Sequence, residues 1–80
     1  MTIQIDIIFD GVDGDMKMKT LYEFDFISAI KKAEEFLLRY SDSAPEILSA
    51  RQHTGNDIQD IKLKVLTTLN ERRKHAGQKR

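Results

Sequence analysis

The chain reads as an α+β domain. The predicted architecture is a small two-layer ββαβα unit, with a three-stranded antiparallel sheet ordered 2-1-3 and its helices on one face. Three observations predict it. Residues 3–9 and 16–24 alternate apolar and polar with a period of two, as half-buried strands do. Residues 26–40 repeat apolar side chains at helical spacing. The segments between are rich in Gly, Asp, Ser and Pro, which interrupt regular structure.

In the first strand Ile3, Ile5, Ile7 and Phe9 share one side, Gln4, Asp6 and Asp10 the other, and only Ile8 breaks the polar row. In the second, Met16, Met18, Tyr22 and Phe24 are in step, and Lys17, Lys19 and Glu23 are out of step. Gly11-Val12-Asp13-Gly14-Asp15 joins them with the composition of a hairpin loop. Pairing the outer faces by charge sets Asp6 and Asp10 against Lys17 and Lys19 and leaves the Met16–Tyr22 row for the core.

Asp25 is placed to cap the following helix by accepting from a first-turn amide. Phe26, Ala29, Ile30, Ala33, Leu37 and Tyr40 form its buried stripe, and Ser41, Asp42, Ser43 and Pro45 end it. Its apolar arc is unusually wide. With Phe36 on one edge and Ile27 and Leu38 on the other, it spans roughly 200°, against ~100° for an ordinary surface helix.

The second half of the chain admits two assignments. In the favoured one, Glu46 to His53 is a third strand and Asp57 to about His75 a second helix. Asn56 and Gln59 resemble a capping box there, and Ile58, Ile61, Val65 and Leu69 form a stripe with Leu66 beside it. In the other, Ser43-Ala44-Pro45-Glu46 opens a short helix and Ile61, Leu63 and Val65 alternate as a strand. That gives a ββααβ order resembling β-grasp domains in outline, with no motif that identifies a family. Either way residues 1–75 form one domain and 76–80 a frayed basic C-terminal tail.

Composition narrows function by exclusion. Eighty residues hold one core, and a domain this small buries only about 60% of the surface its unfolded chain exposes. Without cysteine there is neither disulfide nor thiolate ligand, and His53 and His75 are too few and too far apart for a zinc site. Asp10, Asp13 and Asp15 lack the spacing and distal glutamate of a calcium loop, so turn chemistry accounts for them. No metal or other cofactor is expected. No nucleophile stands in a motif with a histidine, and no glycine pattern cradles phosphate, so the expectation is not an enzyme and no small-molecule substrate. Met1 leads into Gln4 and Asp6 without a basic n-region, and no apolar run approaches the ~18 residues of a membrane span. The expected location is cytoplasmic, with no membrane partner.

Charge is segregated. Residues 1–61 carry six basic side chains against twelve acidic ones, and residues 62–80 carry seven against one, so the chain is neutral but polar end to end. Two functions follow. The favoured one is a small non-enzymatic protein-interaction module that forms a homodimer, with Ile27, Phe36, Leu38 and Leu63 as candidate self-association residues. The alternative is an accessory nucleic-acid-binding protein using its basic C-terminal helix and tail, through Lys62, Lys64, Arg72, Arg73, Lys74, Lys79 and Arg80. Absence of aromatic interleaving and of any base-reading motif counts against the alternative.

Overall fold

The computed structural model describes the backbone of residues 1–78 and side chains as far as His75. Strands β1 (Thr2–Asp10) and β2 (Met16–Glu23) precede helix α1 (Phe26–Arg39). After a 3₁₀ turn at Ser41–Ser43 come β3 (Glu46–Thr54), β4 (Asp57–Asp60) and helix α2 (Lys62–Gln78). The fold is α+β, and the order ββα occurs twice. The sheet is wholly antiparallel, ordered β2-β1-β3-β4.

The fourth strand corrects the expected three. Thr54 and Asp57 pair across a two-residue turn in which Gly55 adopts φ +59°, a conformation glycine reaches without strain. Residues 57–60 therefore extend the sheet, and the second helix begins at Lys62. The Asn56–Gln59 capping box does not form. Asp60 accepts from the Lys62 amide instead, at 2.9 Å. The expected stripe survives from Ile61 onward, with Ile61 and Val65 buried and Leu66 and Leu69 packed on the core, while Ile58 on β4 is exposed. With β4 beside it, β3 is an interior strand and not the sheet edge. Of the expected terminal tail, Lys79 and Arg80 lie outside the described residues.

Ile3, Ile5 and Ile7 of β1 form the centre of the core, under Ala29, Ile30 and Ala33 of α1. Alanines at 29, 33 and 50 let helix and sheet approach closely. Asp25 caps α1, its Oδ1 accepting from the Ser28 amide at 2.8 Å. At the other end Phe9, Phe36 and Tyr40 form an aromatic trio with centroids 4.5–5.5 Å apart, before Ala44 turns the chain at φ 49°. Both helices lie on one face, and the molecule is a slab 38 × 37 × 17 Å. Its radius of gyration, 13.3 Å, exceeds the ~11.6 Å expected of an 80-residue globule.

The orientation of β2 is the reverse of that suggested by charge. The hairpin loop is closed by Gly11 N–H donating to Asp15 C=O at 2.7 Å, with Gly14 at φ +86°. That loop sets a register in which Ile5 meets Leu21, Ile7 meets Lys19 and Asp6 meets Thr20. Leu21 is thus the core residue of β2, and Lys17 and Lys19 share its side. Met16, Met18 and Tyr22 face away from the helices beside Asp10, Ile8 and Gln4.

Candidate functional site

The face of the sheet opposite the helices has no covering layer among the described residues. Its centre is polar and tightly organised around Asp6, only 5% exposed despite this position. Ser49 Oγ donates to Asp6 Oδ2 at 2.6 Å, and Thr20 Oγ1 donates to Asp6 Oδ1 at 2.7 Å. Arg51 and Gln4 add weaker contacts at 3.3 and 3.4 Å. The carboxylate therefore ties β2, β1 and β3 together.

A β-bulge builds this cluster. From Thr2 to Asp6 the β1–β3 register is regular, then it shifts by one residue so that Ile7 meets Ile47. Leu48 is left out of the ladder, and Ser49 stands opposite Asp6. Continuing the pairing of Ile7 and Ile8 without the bulge would put Leu48 there and leave the carboxylate without its shortest bond. Burial alone would push the Asp6 carboxyl up; hydrogen bonds from Ser49, Thr20, Gln4 and Arg51 more than reverse this and hold it below the ordinary carboxylate value.

What such a cluster can do chemically is limited. A carboxylate held below its usual range is a weak base, so Asp6 is poorly suited to take a proton from Ser49. His53 Nε2 lies 3.1 Å from Gln4 Oε1, engaged with an amide and not with a nucleophile. No buried side-chain polar atom among the described residues lacks a partner. Asp6 is a cross-strand clasp.

Around the clasp the face turns apolar at its β2 edge. Met16, Met18 and Tyr22 are 70%, 60% and 62% exposed, and half-buried Ile8 lies beside Met18. On the far side Leu48 and Ile58 are also exposed.

The residues singled out by sequence lie on the helices, on the other side of the sheet. Ile27, Leu38 and Leu63 are exposed on the helices. Phe36 is half-buried in the aromatic trio, so its apolar surface is largely satisfied within the chain. Leu38 joins Leu37, Leu69, Arg72 and Arg73 in an open groove of about 560 Å³ between the helices.

Two of the basic residues are engaged within the chain. Arg72 forks onto Glu34 at 2.9 and 3.0 Å, which depresses the Glu34 carboxyl. Lys64 Nζ sits 4.6 Å from the centre of the Phe26 ring. Lys62 and Arg73 share one side of α2, about 16 Å apart along its axis, with Lys74 about 100° round from Arg73; Lys79 and Arg80 fall outside the described residues. In the loop, Asp13 accepts from the Asp15 amide and lies 3.8 Å from Lys17, as turn chemistry requires. No metal-ligating cluster of three or more His, Cys, Asp or Glu occurs among the described residues. Nor is any helix among them long and apolar enough to cross a membrane.

Sequence reasoning missed Asp6, Thr20 and Ser49 because their meeting depends on two registers and a bulge. The available signal was an acidic residue central to an isoleucine-rich strand, with hydroxyl residues on both neighbours. Searches of protein-family models, curated proteins and solved structures find no match to this chain.

Proposed function

We propose that this chain is a small non-enzymatic protein-interaction module that self-associates. The observation that carries the reading is the outward row of Met16, Met18 and Tyr22 on an uncovered sheet face. Antiparallel sheets commonly leave one face to water, and such faces are polar. Here the positions nearest the sheet edge are large and apolar, as at surfaces completed by another chain. The flat shape supports the same reading, since a slab with a radius of gyration above that of a globule leaves much surface to cover.

The basic helix offers less to a nucleic acid. Arg72 is engaged by Glu34 and Lys64 by Phe26, and the remaining Lys62 and Arg73 stand about 16 Å apart along α2, with no aromatic side chain between them on the helix. Sedimentation equilibrium at micromolar concentration tests the proposal. A mass twice 9.3 kDa is expected, and a monomer persisting at millimolar concentration would overturn it.

A further inference from the structure

Building on the self-association reading, we propose that the partner is a second copy, joined through the free edge of β2 as an antiparallel strand pair with Thr20 on the two-fold axis. The backbone supplies the first argument. Gly11 N–H bonds to Asp15 C=O, and the β1–β2 register runs on from that pair unbroken to Ile3–Glu23. Antiparallel strands direct successive residues' amide groups to alternate sides. Lys17, Lys19, Leu21 and Glu23 therefore bond to β1. The N–H and C=O groups of Met18, Thr20 and Tyr22 point outward from an edge strand, where no other described strand receives them.

Side chains then select the register. For both faces of the sheet to continue across the joint, odd residues must meet odd and even meet even. An axis at Met18 sets Lys17 against Lys19 of the second copy, and an axis at Lys19 sets that lysine against itself; like charges opposed this way are destabilising. An axis at Leu21 shortens the paired stretch to residues 19–23. An axis at Thr20 pairs the whole of 17–23, with Lys17 opposite Glu23 of the second copy and Met18 opposite Tyr22.

The two kinds of pair fall where each works best. Lys17 and Glu23 occupy non-hydrogen-bonded positions, where Cα atoms come within about 4.5 Å and side chains are closest. Thr20 exchanges backbone bonds with its own copy, and Met18 with Tyr22. The exposed Met18–Tyr22 row becomes continuous across the joint on the uncovered face. Lysines on an edge usually guard against pairing. Here they exclude two registers and leave the one that Glu23 neutralises. Thr20, tied to Asp6 at 2.7 Å, holds the strand firm at the axis.

Amide hydrogen exchange on the wild-type chain reads the register directly. As concentration drives dimerisation, the amides of Met18, Thr20 and Tyr22 should become protected, whereas those of Lys19 and Leu21 are protected already. In a mixture of labelled and unlabelled chains, isotope-filtered NOEs should connect Met18 methyl to the Tyr22 ring, which lie about 13 Å apart along one strand. Lys17→Glu should weaken the dimer roughly 3–10-fold, and adding Glu23→Lys should restore it. A wild-type dimer in which Met18, Thr20 and Tyr22 still exchange freely would overturn the edge pairing while leaving self-association standing. A monomer at millimolar concentration would overturn both.

Discussion

Replacing Asp6 by asparagine tests whether the sheet is held by a charged clasp. The carboxylate accepts two short hydrogen bonds, from Ser49 at 2.6 Å and Thr20 at 2.7 Å, and two longer contacts that contribute little. A hydrogen bond to a charged group contributes about 1.5–3 kcal/mol. Ser49 and Thr20 are only half-buried, so each hydroxyl can turn towards water once its acceptor is lost. Asp6→Ala should therefore cost about 2–4 kcal/mol, below the sum of two full bonds. Asp6→Asn keeps the shape and one good acceptor oxygen, and should cost about 1–2 kcal/mol. The sign of the pH effect follows from the lowered carboxyl. Its contribution is fully present above the ordinary value of 3.8 and disappears as pH falls through the lower value of the folded state. Urea titrations of wild type and Asp6→Asn across pH should thus show a constant gap above about pH 5 that closes below pH 4. Equal stabilities at neutral pH, or a gap that widens in acid, would refute the clasp.

Two further outcomes follow from the orientation of the elements. At concentrations low enough for monomer, Leu21→Ala should cost about 1.5–3 kcal/mol by denaturant titration, because Leu21 packs on the core; Met18→Ala should stay within about 0.5 kcal/mol, and the opposite ranking would mean the β2 row had been assigned to the wrong face. Titration of a short DNA duplex or single strand at physiological salt should show no measurable binding, because Arg72 is held by Glu34 and Lys64 sits over Phe26; a micromolar dissociation constant abolished by removing Arg72, Arg73 and Lys74 together would restore the nucleic-acid alternative.

Where local pattern decides structure, the sequence was sufficient. The isoleucine alternation of β1, the capped stripe of α1 and the β3 run each form as their periodicity dictates. The missed strand lost to a competing pattern, since Ile58 continues the spacing of Ile61 and Val65, and Asn56–Gln59 imitates a helix start. Thr54-Gly55-Asn56-Asp57 was the discriminating signal: a Gly-Asn pair suits a two-residue hairpin, and Gly55 takes the positive φ of that turn. The facing of β2 was not legible in the same way. Its two rows alternate equally well, and the choice between them depends on the parity set by the Gly11–Asp15 loop, which pairing by charge judged wrongly. The Asp6 cluster lay further still from view, because the bulge at Leu48 leaves no periodic trace in β3.

The same parity links stability to assembly. Among the described residues only Ile3, Ile5, Ile7 and Val65 are large side chains with full burial, and three of the ten core residues are alanine. With no disulfide to supplement so thin a core, a small domain of this kind draws stability from polar clasps or from a partner. Had the loop set the other parity, Met16, Met18 and Tyr22 would have enlarged the core, and Lys17 and Lys19 would have shared the outer face with Asp6. Instead the apolar row lies at the edge, beside the only buried charge among the described residues. On the proposed reading part of that loss is recovered when Met18 packs beside Tyr22 of a second copy, so folding and association draw on the same apolar row. The midpoint of thermal unfolding should then rise with protein concentration in the wild type. In a variant that keeps the core but carries Lys17→Glu, the same rise should need roughly 3–10-fold more protein.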